Sequence, residues 1–129
     1  MNKAQLSAAL VTALKPTVSN RVFRNVFPQP PAAPVWPAIR YTFVSVTANP
    51  DICGDGGEEV ADYRVQLDLV RLESDGMPAF STLTATVKAA LIAANLPMQW
   101  DSEFEKYDAE TKTTRLSMDY LVFPSTPTP

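Results

Sequence analysis

The segment Asn49-Pro-Asp-Ile-Cys-Gly-Asp-Gly-Gly-Glu-Glu59 gathers most of the residue types that could do chemistry. Asp51, Asp55, Glu58 and Glu59 supply carboxylates, Cys53 a thiol, and three glycines backbone freedom. A calcium loop is the first chemistry to test. Asp51, Asp55 and Gly56 fall at positions one, five and six of an EF-hand loop, and Asp62 falls at position twelve. Position three is Cys53, where a hard cation needs oxygen, and the flanking residues read as strands rather than helices. Phosphate binding fares no better: the acidic neighbours repel phosphate, and no Lys-Ser/Thr pair follows the glycines. Cys53 as a nucleophile would need a depressed pKa, yet nearby carboxylates work against the thiolate. The segment therefore reads as a long acidic hairpin loop, mobile in the free protein and ordered by a partner. On this reading Cys53→Ser leaves folding and assembly unchanged.

A second candidate is the pair Glu103 and Glu105, which share one face of a strand as glycosidase carboxylates do. Alternating acids are also ordinary on a solvated strand face, and that is the reading preferred here. The chain has no histidine. This removes the commonest general base, the commonest metal ligand and every Ser-His or Cys-His pairing. No catalytic, metal-binding or cofactor-binding set emerges.

Composition narrows the class further. At 129 residues and 46% hydrophobic, the chain suits one packed domain, expected over residues 1–123. The polar, proline-rich end from 124 to 129 reads as a disordered tail. The net charge of −3, with no run of Lys or Arg, argues against direct nucleic-acid binding. A single cysteine forbids an internal disulfide. No stretch approaches a membrane span, and Met1 to Leu14 lacks the pattern of a signal peptide.

The elements that would position these residues follow from periodicity. Asn2 to Lys15 reads as a helix with Leu6, Leu10, Ala13 and Leu14 on one face, capped by Asn2 and stopped by Pro16. Arg21 to Val26 suits a short strand. The prolines at 28, 30, 31, 34 and 37 then impose an extended crossover, with Phe27 and Trp36 expected in the core. Its PxxP spacings are also of the kind that SH3-type domains bind. Ala38 to Ala48 is a strand whose apolar phase switches from Ile39, Tyr41 and Phe43 to Val44 and Val46, which predicts a bulge or two covered faces. Val60 to Leu72 is a second long strand, with Tyr63, Val65, Leu67 and Leu69 on one side and Asp62, Arg64, Gln66 and Asp68 on the other, a half-buried strand with one solvated or subunit-facing side.

Asp75 to Asn95 carries a second helix, with Pro78 in its first turn and an apolar stripe of Phe80, Leu83, Val87, Leu91 and Ala94. Asn95 suits a left-handed cap. Met98 to Tyr107 and Thr113 to Phe123 form a hairpin around Asp108 to Lys112. Met98, Trp100 and Phe104 are expected on one side of its first strand, and Leu116, Met118, Tyr120 and Val122 on one side of its second. The order predicts an α+β fold: a mostly antiparallel sheet of about four to five strands with two helices packed on one face. The other face would show Arg64, Gln66, Asp68, Arg115, Ser117 and Asp119, mixed charges suited to subunit contacts.

This arrangement resembles the tail-completion or tail-terminator proteins of long-tailed phages and prophages. The resemblance is carried by the N-terminal helix leading to Arg21-Val-Phe-Arg24, by Pro37-Ala-Ile-Arg-Tyr-Thr-Phe-Val-Ser-Val46, and by the acidic Gly-rich loop. It continues through Asp62-Tyr-Arg-Val-Gln-Leu-Asp-Leu69, the small-residue helix from Phe80 to Ala94, and the closing hairpin. It implies a non-enzymatic structural subunit of the virion tail, assembled in the host cytoplasm. The implied partners are further copies in a ring, usually a hexamer in this family, with the major tail tube protein and a head–tail connector protein. The contact residues would be Asp51, Asp55, Glu58 and Glu59 in the loop and Arg64, Gln66, Asp68, Arg115 and Asp119 on the polar sheet face. The dense prolines from 28 to 37 and the Asp101 to Glu105 run depart from the family pattern. They leave open a neck protein or other minor tail component, and a monomeric interaction adaptor using the proline-rich segment or an exposed sheet edge is a further alternative.

Overall fold

A computed structural model describes residues 3–29, 33–48 and 61–123, with the backbone alone at 47, 48 and 61. The Asn2 cap, the loop from Asn49 to Glu59 with Cys53, and the tail from 124 to 129 lie outside the described residues.

The elements run α1 (Lys3–Leu14), β1 (Val22–Arg24), β2 (Ala38–Ala48), β3 (Ala61–Leu72), α2 (Met77–Ala93), β4 (Met98–Asp108) and β5 (Thr113–Val122). Among the described residues the strands form one five-stranded sheet in the order β1-β2-β3-β5-β4. Every pairing is antiparallel except β1 with β2. The fold is α+β, as the element order predicts. Strand β1 is shorter than expected because Asn20 and Asn25, both at positive φ, turn the chain out of the ladder on either side.

Both helices close on one face of the sheet. α1 contributes Leu6, Leu10 and Leu14, all fully buried, and α2 contributes Phe80, Val87 and Leu91. They meet Ile39, Tyr41, Tyr63, Val65, Leu67, Leu69, Leu116, Met118, Tyr120 and Val122 in one core. Each fully buried Leu or Phe contributes about 1.5–3 kcal/mol relative to an exposed one. Ser7 on α1 hydrogen-bonds the Tyr41 hydroxyl, and the Thr17 hydroxyl donates to the Leu14 carbonyl at 2.6 Å, which satisfies one acceptor at the end of α1. The φ of +85° at Gly76 turns the chain into α2, with Pro78 in the first turn, and Asn95 at φ 54° ends it as anticipated.

Two bulges set the faces. The β2–β3 register shifts between Phe43 and Ser45, so Val44 is the extra residue that the phase switch in the sequence foreshadowed. The β4–β5 register shifts between Trp100 and Ser102. This second bulge overturns one expectation. Met98 and Trp100 oppose Val122 and Tyr120 on the helix side, but Phe104 opposes Ser117 on the far side.

The crossover also differs from expectation. Phe27 and Trp36 are half-buried and stay out of the core. They stack edge to face on each other at 5.0 Å, Phe27 lies 6.1 Å from Phe23, and the Arg40 guanidinium sits 5.1 Å from the Phe27 ring. Phe23 and Arg40 are register partners on the far face. Phe27 and Trp36 therefore pack over the sheet face that the helices leave uncovered. The apolar stripes of both helices already fill the core side.

Candidate functional site: the far sheet face and the open edge

The far face is built by strand parity. On β3, Arg64, Gln66 and Asp68 alternate with the core residues, and on β5, Arg115, Ser117 and Asp119 do the same. Antiparallel pairing sets Asp68 beside Arg40 and Ser117, and Gln66 beside Asp119.

Asp68 sits at the centre and is 1% exposed. Its carboxylate accepts from Arg40 Nε at 2.9 Å, from Ser117 Oγ at 2.6 Å and from Gln66 Nε2 at 2.9 Å. These charge-assisted bonds offset the desolvation of the carboxylate. A partner cannot reach Asp68 without displacing Arg40 or Gln66, so its role in the free subunit is to fix this face.

A second cluster lies toward the other end of the strands. Arg64 donates to Asp101 at 3.1 Å and lies 3.9 Å from Asp119. It is partly exposed, and such pairs contribute only about 0–1 kcal/mol to stability. Asp101 is the bulge residue of β4, which places its carboxylate over Arg64. Arg115 is half-buried, and its Nε has no partner among the described residues. Between the crossover and the β4–β5 turn runs a groove of about 700 Å³, lined in part by Phe27, Trp36, Arg40, Val70 and Arg115.

Five of the expected contact residues, Arg64, Gln66, Asp68, Arg115 and Asp119, are thus brought to one face. The other four, Asp51, Asp55, Glu58 and Glu59, lie outside the described residues. Arg40, Asp101 and the Phe27–Trp36 pair complete the face and were not among the expected residues. The parity of Arg40 between Ile39 and Tyr41 was the available signal. Asp101 had none, because nothing in the local pattern marks the bulge.

Glu103 and Glu105 face the helix side. Glu103 accepts from Lys88 Nζ on α2 at 2.7 Å and from Trp100 Nε1 at 3.2 Å, and Lys88 sits 5.3 Å from the Trp100 ring. These contacts tie the edge strand β4 to α2. No group of ligating side chains suited to a metal occurs among the described residues, and none of their helices is long and apolar enough to cross a membrane.

β4 is the outermost strand on its side, and from Gln99 to Asp108 every residue is exposed. Trp100, Phe104 and Tyr107 are each about half exposed on it. An eleven-residue open edge with aromatic side chains is a surface that a partner chain can cover.

Beneath β4, burial pushes the Tyr120 hydroxyl up to about 12, and the Glu103 carboxylate adds to the shift. The folded chain then holds this proton more tightly than the unfolded one. The associated stability is fully present below the ordinary tyrosine value of about 10 and is lost as pH rises through about 12. Urea unfolding across that alkaline window should show stability falling with pH, and Tyr120→Phe should flatten the slope. An unchanged slope in Tyr120→Phe would refute the assignment.

The family model described as tail completion protein gp17 matches residues 8–123. Among solved structures, 17 chains match. One is a chain of the structure titled "Virion of native gene transfer agent (GTA) particle", 16% identical, covering 90% of this chain and 91% of that one, at a TM-score of 0.55. That likeness is one of fold. No curated protein matches by sequence.

Proposed function

This chain belongs to the tail completion protein gp17 family, and we propose that it works as a structural, non-catalytic subunit that forms a ring, most simply a hexamer, on the end of a phage or prophage tail. The ring caps the tail tube and offers a surface to the head connector, so its partners are other copies of itself, the major tail tube protein and a head–tail connector protein. Its place is the virion tail, after assembly in the host cytoplasm.

The observation that supports this reading best is the strand β4, whose outer side pairs with no other strand among the described residues. A closed ring satisfies such edges, whereas a free monomer leaves them as templates for unwanted pairing. The far face adds partly exposed charges at Arg64, Arg115 and Asp119 for contact with a neighbour or the tail tube. The acidic loop residues Asp51, Asp55, Glu58 and Glu59 are proposed to join that contact.

The test uses tails assembled in the absence of this protein. They should fail to join heads, and added purified protein should bind at one tail end, seen by electron microscopy as a cap of rotational symmetry. Binding along the tube or to the head alone would reject the capping role and favour a neck or other minor tail component. A protein that is monomeric at every concentration and binds no tail would favour the adaptor alternative.

A further inference from the structure

The two edges of the sheet carry opposite charge. Residues 1–50 contain Lys3, Lys15, Arg21, Arg24 and Arg40 and neither Asp nor Glu. They form α1, β1 and β2, one side of the sheet. Residues 98–110, which form β4 and its turn, contain Asp101, Glu103, Glu105, Asp108 and Glu110 against the single Lys106.

The charges on each edge are partly unspent. Lys3 and Arg24 converge on the Phe43 ring, at 5.8 and 5.5 Å, and neither meets a carboxylate among the described residues. Glu105 and Glu110 are exposed and form no ion pair among the described residues.

Apolar exposure coincides with both edges. β1 pairs with β2 only from Ile39 to Tyr41, so the outer side of β2 beyond Tyr41 is not covered by β1. Val26, Val44 and Val46 are about half exposed there, as Trp100, Phe104 and Tyr107 are on β4. Among the described residues, six of the ten exposed large hydrophobics thus sit on the two edges.

We propose that the acidic, aromatic β4 edge of one copy seats against the basic α1/β1–β2 edge of a second copy, so that the chain associates head to tail. This rests on the ring reading above and names the surfaces that join its subunits. The edges lie four strand spacings apart, roughly 19 Å. A two-fold contact uses the same patch on both partners and would set β4 against β4, acid against acid, which like charge opposes. Opposite edges in contact leave one of each kind free on every growing chain, a geometry that closes into a ring when the rotation between copies completes a circle and otherwise extends as a filament.

Charge reversal on the full-length chain tests this. One variant carries Glu105→Lys with Glu110→Lys, and the other carries Lys3→Glu with Arg24→Glu. All four positions lie outside the buried core, so urea midpoints close to wild type confirm folding before association is read. Light scattering after size exclusion, over a concentration series, should show wild-type association weakening with salt. Each variant alone should associate at least about tenfold more weakly. An equimolar mixture of the two, and a chain carrying all four changes, should recover to within about threefold of wild type, which misfolding cannot produce. Rings that ignore both reversals would overturn this interface and leave the ring reading standing. A two-fold dimer, or a wild-type chain monomeric at every concentration, would overturn both.

Discussion

Leu67→Ala lowers the unfolding free energy by about 2–5 kcal/mol. Leu67 is fully buried on β3, the middle strand of the five, with Tyr41 of β2 and Met118 of β5 as its register partners. Truncation removes apolar transfer energy and leaves a cavity. The cavity collapses poorly, because β3 is held by hydrogen-bonded ladders on both sides and cannot shift to fill it. Met118, a flexible register partner, can lean into the space, which draws the cost toward the lower end of the range. Two controls bound the result. Leu67→Met keeps the volume and should cost less than about 1.5 kcal/mol. Ile92→Ala removes a side chain 79% exposed on α2 and should stay within about 0.5 kcal/mol of wild type. Urea unfolding should show the midpoint moving with an unchanged slope. A Leu67→Ala loss below about 1 kcal/mol would mean that β3 is not the centre of the core.

Leu67 was legible because β3 alternates cleanly from Asp62 to Leu69, before the buried Arg71 interrupts the apolar face, and both helices present apolar stripes that need a sheet face. The bulge at Val44 was legible for the same reason: the apolar phase visibly changes there. The bulge at Asp101 left no such trace. Met98, Trp100 and Phe104 sit at even spacing and mimic an unbroken strand, so the local pattern gives one face where the fold has two. What reveals the flip is long-range: Glu103 meets Lys88 of α2 on one side, and Asp101 meets Arg64 of β3 on the other. Periodicity within a strand cannot report partners that arrive from elsewhere in the chain.

The same limit explains the crossover. Prolines announce an extended path and aromatic residues announce burial, but neither states against which surface. Phe27 and Trp36 took the far face because Arg40 and Phe23 offer a cation and a ring there. The direction of β1 was equally hidden, since a three-residue strand pairs parallel or antiparallel with the same side-chain pattern. For the candidate site, parity put Asp68 on the correct face and said nothing of depth. Its burial depends on Arg40, 28 residues away, and on Ser117, 49 residues away.

That difference in depth makes Asp68→Ala decisive. Were Asp68 a surface contact, its loss would leave the isolated subunit's stability within about 0.5 kcal/mol and weaken only association. The structure predicts a loss of about 2–4 kcal/mol in the isolated subunit instead. Removing one partner of a fully buried pair costs about 3–5 kcal/mol. The value is discounted here because the Arg40 side chain is 24% exposed and can turn toward solvent while keeping its contact with Phe27. Ser117 has no such escape, since it is 1% exposed and loses its acceptor outright. Asp68→Asn separates the two contributions. Its amide oxygen can still accept from Ser117 and Gln66, but its amide nitrogen then faces the Arg40 guanidinium, donor against donor. It should therefore be intermediate, costing about 1–2 kcal/mol. A double-mutant cycle with Arg40→Ala should return a coupling of at least about 0.5 kcal/mol, as residues in one network do. Additive effects in that cycle, or a wild-type urea midpoint in Asp68→Ala, would return Asp68 to the list of contact residues and leave the far face held by the crossover alone.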